Sequence, residues 1–252
     1  MTPVSVTIIT LNEAHNIGRC IDSVKDVADE VVVVDSFSSD KTVEIAQLKG
    51  AKIYQQEFLG YARQKNFAIA KAIYPLILSL DADEVLSDDL KKSILDVKKN
   101  VTADAFTFNR FTCFSGKWIR HSGWYPDTKL RLWNREKGRW QGDYLHEKVV
   151  MNKDASIKHL NGDLLHYSFN SIEEHIRQIN VFSSLKAQGL FQKGKKASVF
   201  MMICSPVFKF VRHYFFNKGF LDGYYGYVIS RNSAFSNYLK HAKLRELHRH
   251  EK

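Results

Sequence analysis

Val4-Ser5-Val6-Thr7-Ile8-Ile9-Thr10-Leu11-Asn12-Glu13 is the stretch on which the fold turns. Six of its first seven residues are β-branched, which favours an extended strand, and the run stops abruptly at Leu11-Asn12-Glu13. The pattern recurs downstream. Residues 30–35 hold four consecutive valines, Val31 to Val34, and end on Asp35; residues 52–55 make a third short strand; residues 75–80 make a fourth, apolar except for Ser79. Between them the spacing predicts helices over 17–24, from Asp40-Lys41-Thr42-Val43-Glu44 through Lys49, and over 61–72, and Ser87-Asp88-Asp89 caps another that runs to about Asn100. Near-continuous apolar strands alternating with helices imply an α/β fold: a Rossmann-like, mostly parallel sheet covered on both faces.

That architecture locates a ligand. In an open parallel sheet the binding crevice lies beyond the carboxyl ends of the strands. Here those ends carry Asn12 and Glu13, then Asp35, then Asp81, Ala82 and Asp83. Two carboxylates spaced i, i+2 just past a buried strand can converge on one hard cation, and Mg²⁺ or Mn²⁺ fills its remaining positions with water and substrate phosphate. Such an ion neutralises charge on a departing diphosphate. Alone, the tripeptide reads equally well as a solvated turn; its place after a fourth strand is what favours a metal. Asp81-Ala82-Asp83-Glu84-Val85 also fits the Asp-x-Asp-x-Val pattern of haloacid-dehalogenase-type phosphatases, but that motif follows the first strand of its fold, whereas three strands precede it here. Asp35 ends a strand and can accept hydrogen bonds from a pyrimidine or ribose, while Asp40 directly precedes a helix and reads as a cap.

Beyond Asn100 the alternation changes. Residues 105–110 and 129–133 look like strands separated by an aromatic loop, Phe114-Ser115-Gly116-Lys117-Trp118 through Gly123-Trp124-Tyr125-Pro126-Asp127, and residues 138–147 form a second irregular stretch. Loops this rich in Trp and Tyr commonly line something. From Ser171-Ile172-Glu173-Glu174 onward the signal is helical, giving an expected division into a catalytic domain over 1–170 and a helical extension over 171–252.

At this point a resemblance emerges. Val6-Thr7-Ile8-Ile9-Thr10-Leu11-Asn12-Glu13 with Asn16-Ile17, then Val32-Val33-Val34-Asp35-Ser36 with Ser39-Asp40-Lys41-Thr42, then Ala62-Arg63-Gln64-Lys65-Asn66, then Leu80-Asp81-Ala82-Asp83-Glu84 resemble the ordered motifs of glycosyltransferase family 2, inverting enzymes of GT-A fold. Gly142-Asp143-Tyr144-Leu145-His146-Glu147 and Lys218-Gly219-Phe220-Leu221-Asp222-Gly223-Tyr224-Tyr225-Gly226 resemble more narrowly its bacterial lipopolysaccharide-core β-glucosyltransferase branch. The resemblance implies that Thr10, Leu11, Asn12 and Glu13 border the nucleotide base, that Asp35 meets base or ribose, and that Lys65 and Asn66 lie on the helix facing the donor. It also implies transfer of a hexose from a nucleotide sugar, UDP-glucose or similar, to a glycan or lipid-linked acceptor of the cell envelope such as lipopolysaccharide core. Inversion needs a general base near the acceptor hydroxyl. The family's acidic pair for this task is missing, which leaves Glu147 as the candidate, with Asp143 and Asp127 as competitors. His166 is the candidate third metal contact beside Asp81 and Asp83, and His146 a candidate substrate contact. His121, His159 and His175 receive no role.

Composition narrows the partners. The chain has 252 residues, 44% of them hydrophobic, enough for one substantial core with an appendage, and a formal charge of +10. Residues 195–252 hold eleven lysines and arginines against three aspartates and glutamates. Phe200, Met201, Met202, Ile203, Val207, Phe208, Phe210, Val211, Tyr214, Phe215 and Phe216 sit among Lys209, Arg212 and Lys218, a pattern suited to an anionic membrane surface or to packing on the core or a second subunit as a homo-oligomer. The apolar run over 197–211 is broken by Ser205, Pro206 and Lys209 and is expected to fall short of about 20 residues, the length of a span. The three cysteines, Cys20, Cys113 and Cys204, form no disulfide or zinc pattern, and no signal peptide opens the chain, so the expected location is the cytoplasm, peripheral on the inner face of the plasma membrane. A nucleic-acid partner would suit the basic, aromatic tail but leaves the acidic strand ends unexplained, so none is expected.

Overall fold

The β-branched run pairs on both sides. In the computed structural model, which describes residues 1–142 and 147–250, β1 (Val4–Thr10) lies between β2 (Glu30–Asp35) and β4 (Leu76–Asp81), parallel to both, and β3 (Lys52–Gln55) extends β2. Val4, Val6 and Ile8 bury against Ile17, Ile21 and Val24 of α1 (Ile17–Val24). α2 (Thr42–Leu48) adds Ala46 to that face, while Val32 and Val34 meet Ala68 of α3 (Tyr61–Lys71) on the other. Helices therefore cover both faces, as a double-sided apolar strand requires.

Past β4 the sheet becomes antiparallel. After β5 (Glu84–Leu86) and α4 (Asp88–Lys99) come β6 (Ala105–Phe114), β7 (Lys117–Trp118), β8 (Asp127–Asn134), β9 (Gly138–Gln141), β10 (Lys148–Met151) and β11 (Ile157–Phe169). Among the described residues the main sheet runs β3-β2-β1-β4-β8-β6-β11-β5, with β7 beside β6. Residues 138–147, expected to be irregular, instead contain β9, which pairs antiparallel with β10 so that Trp140 faces Val149. Trp140 supplies the reason: it is buried with Trp133, Ile77 and Ile69, and that burial fixes the ribbon. Asp143 and His146 lie outside the described residues.

Contacts divide the chain into two units, Met1–Arg110 with Asp127–Tyr167, and Phe111–Pro126 with Ser168–Lys252. The aromatic loop thus belongs with the C-terminal helices, because Phe114 and Ile119 bury with Phe169 and Ile229. The second unit contains α5 (Ile172–Gln192), α6 (Val199–Val211) and α7 (Gly223–His250). Ser171 caps α5 by accepting from Glu174 N–H at 3.1 Å. The Gly219–Gly226 motif is a packing knot: a Cβ on Gly226 would stand 1.8 Å from the Gly219 carbonyl oxygen. Asp222 within it accepts the backbone N–H of His121 at 2.8 Å and lies 3.1 Å from the His121 ring nitrogen Nδ1.

One expectation is corrected here. The apolar helix does not stop at Val211 but continues through a π-helical turn, Arg212–Phe216. Val199–Phe216 is consequently 18 residues, long and apolar enough by length and composition to cross a membrane, and none of it is buried.

Candidate active site

Register sets the site. Thr10 pairs with Asp35 on one side of β1, and Ile9 pairs with Asp81 on the other, so both carboxylates reach the same sheet edge beside the tip of β1. The loop beyond that tip is stapled to the one beyond β2. Asn12, in the left-handed region at φ 54°, donates its N–H to Ser38 Oγ at 2.8 Å and accepts from Ser39 N–H at 2.8 Å. Glu13 N–H donates to Thr42 Oγ1 at 2.8 Å, and Ala14 N–H donates to Asp40 at 3.1 Å. Asp40 accepts the N–H and hydroxyl of Thr42, the first residue of α2, and so ties the two loops together there. Asp35 is fully buried and accepts from both the N–H and the hydroxyl of Ser38. Leu11 is exposed, and the buried Thr10 hydroxyl has no hydrogen-bond partner among the described residues. Burial pushes the Glu13 carboxyl up, against the opposing hydrogen bond from Asn16.

Beneath the Asp-x-Asp runs a chain of alternating charges. Lys65, 1% exposed, places its ammonium 2.9 Å from Asp81 Oδ1 and 3.5 Å from Glu147 Oε1, and 4.4 Å from the Trp140 ring centre. Arg131 takes the other Asp81 oxygen at 2.9 Å and Glu84 at 2.8 Å, and Glu84 accepts Asp81 N–H at 2.9 Å. Arg110 continues the chain from Glu84 (3.7 Å) to Asp127 (2.8 Å), which also pairs with Lys129 at 2.8 Å. Burial alone would push the Asp81 carboxyl up; Lys65 and Arg131 outweigh it and hold the group well below the usual carboxylate range.

Asp83 is placed differently. Its carboxylate lies 3.1 Å from His166 Nε2 on β11, and its backbone carbonyl accepts Tyr167 N–H at 3.0 Å. Asp83 and His166 therefore meet, while both oxygens of Asp81 are engaged by cations. Among the described residues no group of three or more His, Cys, Asp or Glu is arranged to hold a metal. One carboxylate and one imidazole nonetheless suit a divalent ion that completes its shell with phosphate and water. Asp83 and His166 could hold such an ion between them.

Several residues here escaped sequence reasoning. Glu84, Arg131 and Arg110 form the charge chain, although a lone arginine in a strand ordinarily signals solvent. Tyr61, at the start of α3, has its phenol pushed up by burial and then by the charges of Asp81, Glu147 and Asp83, which places it among the carboxylates. Asn66 donates to the Trp140 carbonyl at 2.9 Å and accepts Trp140 N–H at 3.1 Å, so its amide locks β9 against α3. Asp127 sits between Arg110 and Lys129 at the far end of the chain from Glu147.

A family model described as glycosyl transferase family 2 matches residues 5–158. The chain belongs to glycosyltransferase family 2. An uncharacterised glycosyltransferase of Rickettsia typhi is 36% identical, covering 98% of this chain and 88% of its own. LpsC of Rhizobium meliloti, a lipopolysaccharide core biosynthesis glycosyltransferase, is 29% identical, covering 98% of this chain and 93% of its own. Among solved structures, S. aureus TarS 1–349 in complex with UDP aligns with 100% of this chain and 92% of its own at 14% identity and a TM-score of 0.48. The family match spans β1 to the start of β11, and so includes the Asp-x-Asp and the whole charge chain.

Proposed function

We propose that this family 2 glycosyltransferase is inverting and metal-dependent, and moves a hexose from UDP-glucose or a similar nucleotide sugar to a glycan or lipid-linked acceptor such as lipopolysaccharide core. The observation that carries the reading is the paired arrangement at the strand ends: Asp83 with His166, and Asp81 joined to Glu147 through the Lys65 ammonium. A bound Mg²⁺ or Mn²⁺ supplies Lewis-acid neutralisation of the departing diphosphate. Asp83 and His166 would hold it, and Asp81 would join them only by giving up Lys65 or Arg131.

Glu147 is the base. Its carboxylate takes the proton of the acceptor hydroxyl as that oxygen bonds to the anomeric carbon and the carbon–diphosphate bond breaks. Lys65 holds Glu147 in place, and Asp35 with the stapled loop from Thr10 to Glu13 receives the nucleoside. The lipopolysaccharide core role named for the Rhizobium relative supports the acceptor class. The second unit, with its basic excess, is the part that meets an anionic membrane surface on the cytoplasmic side.

A panel of UDP- and GDP-sugars tests this reading through nucleotide release and thermal stabilisation with Mn²⁺, Mg²⁺ or chelator. The expected result is metal-dependent release from a UDP-hexose. Equal release in chelator, or none from any nucleotide sugar, contradicts it.

A further inference from the structure

Helix α6 and its π-helical continuation are apolar on the exposed side as well as toward α7, whereas a surface helix ordinarily turns polar residues outward. Phe200, Ile203, Val207, Phe208, Phe215 and Phe216 form one stripe at helical spacing, and each is more than half exposed. The side toward α7 is mixed, with Phe210 meeting Tyr227 of α7 edge to face, ring centres 5.9 Å apart. Asn237 donates to Ser205 Oγ at 2.5 Å, and the Arg231 guanidinium lies 5.8 Å from the centre of the Phe210 ring.

Cations from three helices act on one another in this unit. Half-buried Lys209 and its neighbour Arg212 come from the α6 segment, Lys186 from α5 and Lys240 from α7. Burial first, then repulsion from Arg212 and Lys186, pushes the Lys209 ammonium down; burial, then Lys186 and Lys209, does the same to Lys240. The carboxylates among the described residues of this unit are occupied elsewhere. Asp222 holds His121, Glu173 pairs with Arg177, Glu174 accepts Asn170 N–H, and Glu246 acts on Lys243. At the other end of α6 a 460 Å³ groove sets Arg245, Glu246 and Arg249 beside Val199 and Met202. An exposed apolar stripe on a unit whose Lys186, Lys209, Arg212 and Lys240 pair with no carboxylate among the described residues is complementary to one kind of surface, in which hydrocarbon lies beneath a layer of phosphates.

We propose that α6 lies in the interfacial plane of an anionic phospholipid membrane, its phenylalanines in the acyl boundary, and that Lys186, Lys209, Arg212 and Lys240 together form a binding site for lipid headgroup phosphate. This rests on the membrane-surface reading above and adds a site to it. The site is separate from the donor chemistry, so nucleotide-sugar turnover in solution serves as an independent control.

The test is flotation of the full chain with vesicles of phosphatidylcholine alone or mixed with phosphatidylglycerol. Binding is expected to the mixed vesicles. The triple variant Lys209→Gln, Arg212→Gln, Lys240→Gln should bind about 100-fold more weakly, at roughly a factor of five per lost charge, while melting no lower, since repulsion is relieved, and turning over donor at the wild-type rate. Free glycerol phosphate should not displace the chain. If Phe208→Ser with Phe216→Ser abolishes flotation while the triple variant floats like wild type, the phosphate site is wrong and the membrane reading stands. If the wild type floats with neither vesicle, both fall. Dimerisation in solution that Phe208→Ser abolishes would give the stripe to a second copy, and RNA binding lost in the triple variant would give the cluster to nucleic acid; either overturns the proposal.

Discussion

The first unit carries 21 lysines and arginines against 22 aspartates and glutamates, the second 16 against 5, and they use this charge in different ways. In the first, cations are internal partners. Lys65, Arg131 and Arg110 each stand between two carboxylates, which fixes those groups in place and holds Asp81 well below the usual carboxylate range. In the second, Lys186, Lys209, Arg212 and Lys240 repel one another. Balanced charge organises a site from within, whereas unbalanced charge beside an exposed apolar stripe needs an outside partner.

The contrast can be broken most forcefully at Arg131. Arg131→Leu leaves Glu84, 0% exposed, without its closest cation and Asp81 with Lys65 alone. The expected loss is about 3–5 kcal/mol of first-unit stability, measured by denaturant titration with hydrogen exchange resolved by segment. A much smaller loss would mean that the charge chain organises little. In the second unit, Gly226→Ala drives a methyl into the Gly219 carbonyl at 1.8 Å. About 1–3 kcal/mol should be lost, with faster exchange confined to that unit.

A smaller, pH-dependent effect sharpens the comparison. His175 lies among Phe114, Trp124 and Phe169, and burial pushes its pKa down from 6.5 to about 4. His213 is likewise lowered to about 4, by burial and then by Lys209 and Arg212. Between about 4 and 6.5 the unfolded chain binds protons at these histidines that the folded chain does not. Their contribution is therefore fully present above 6.5 and lost as pH falls toward 4. Asp81 stays ionised throughout that window. Exchange in the second unit should accelerate on acidification, and His175→Gln should flatten the dependence.

Much of the first unit was legible because its signals are local. The valines and isoleucines of β1, β2 and β4 announce buried strands, and a strand's end announces where Asp35, Asp81 and Asp83 must lie. Ser87 at the start of α4 reads as a cap and is one, accepting Leu90 N–H at 3.3 Å. What escaped depends on distant pairing. Arg131 on β8 has its meaning only beside Glu84 and Asp81, about 50 residues earlier, and Trp140 becomes an anchor only once α3 and β8 enclose it. Equally, nothing local assigns the 114–126 loop to the C-terminal helices, since Phe114 meets Phe169 and Ile229 only across long sequence separations. The Lys218–Gly226 motif was visible as a pattern, but its glycines act in close backbone packing, which spacing does not reveal.

Asp83 with His166 is the proposed metal side of the site. Its most direct test is Mn²⁺-dependent hydrolysis of UDP-glucose by wild type and Asp83→Ala, with Mn²⁺ binding followed on the same samples. The account expects the variant to fold and to melt near wild type, to bind Mn²⁺ in the presence of UDP far more weakly, and to lose about 100-fold or more in turnover, since a metal's contribution is several kcal/mol. Metal-dependent turnover at the wild-type rate in Asp83→Ala would contradict it.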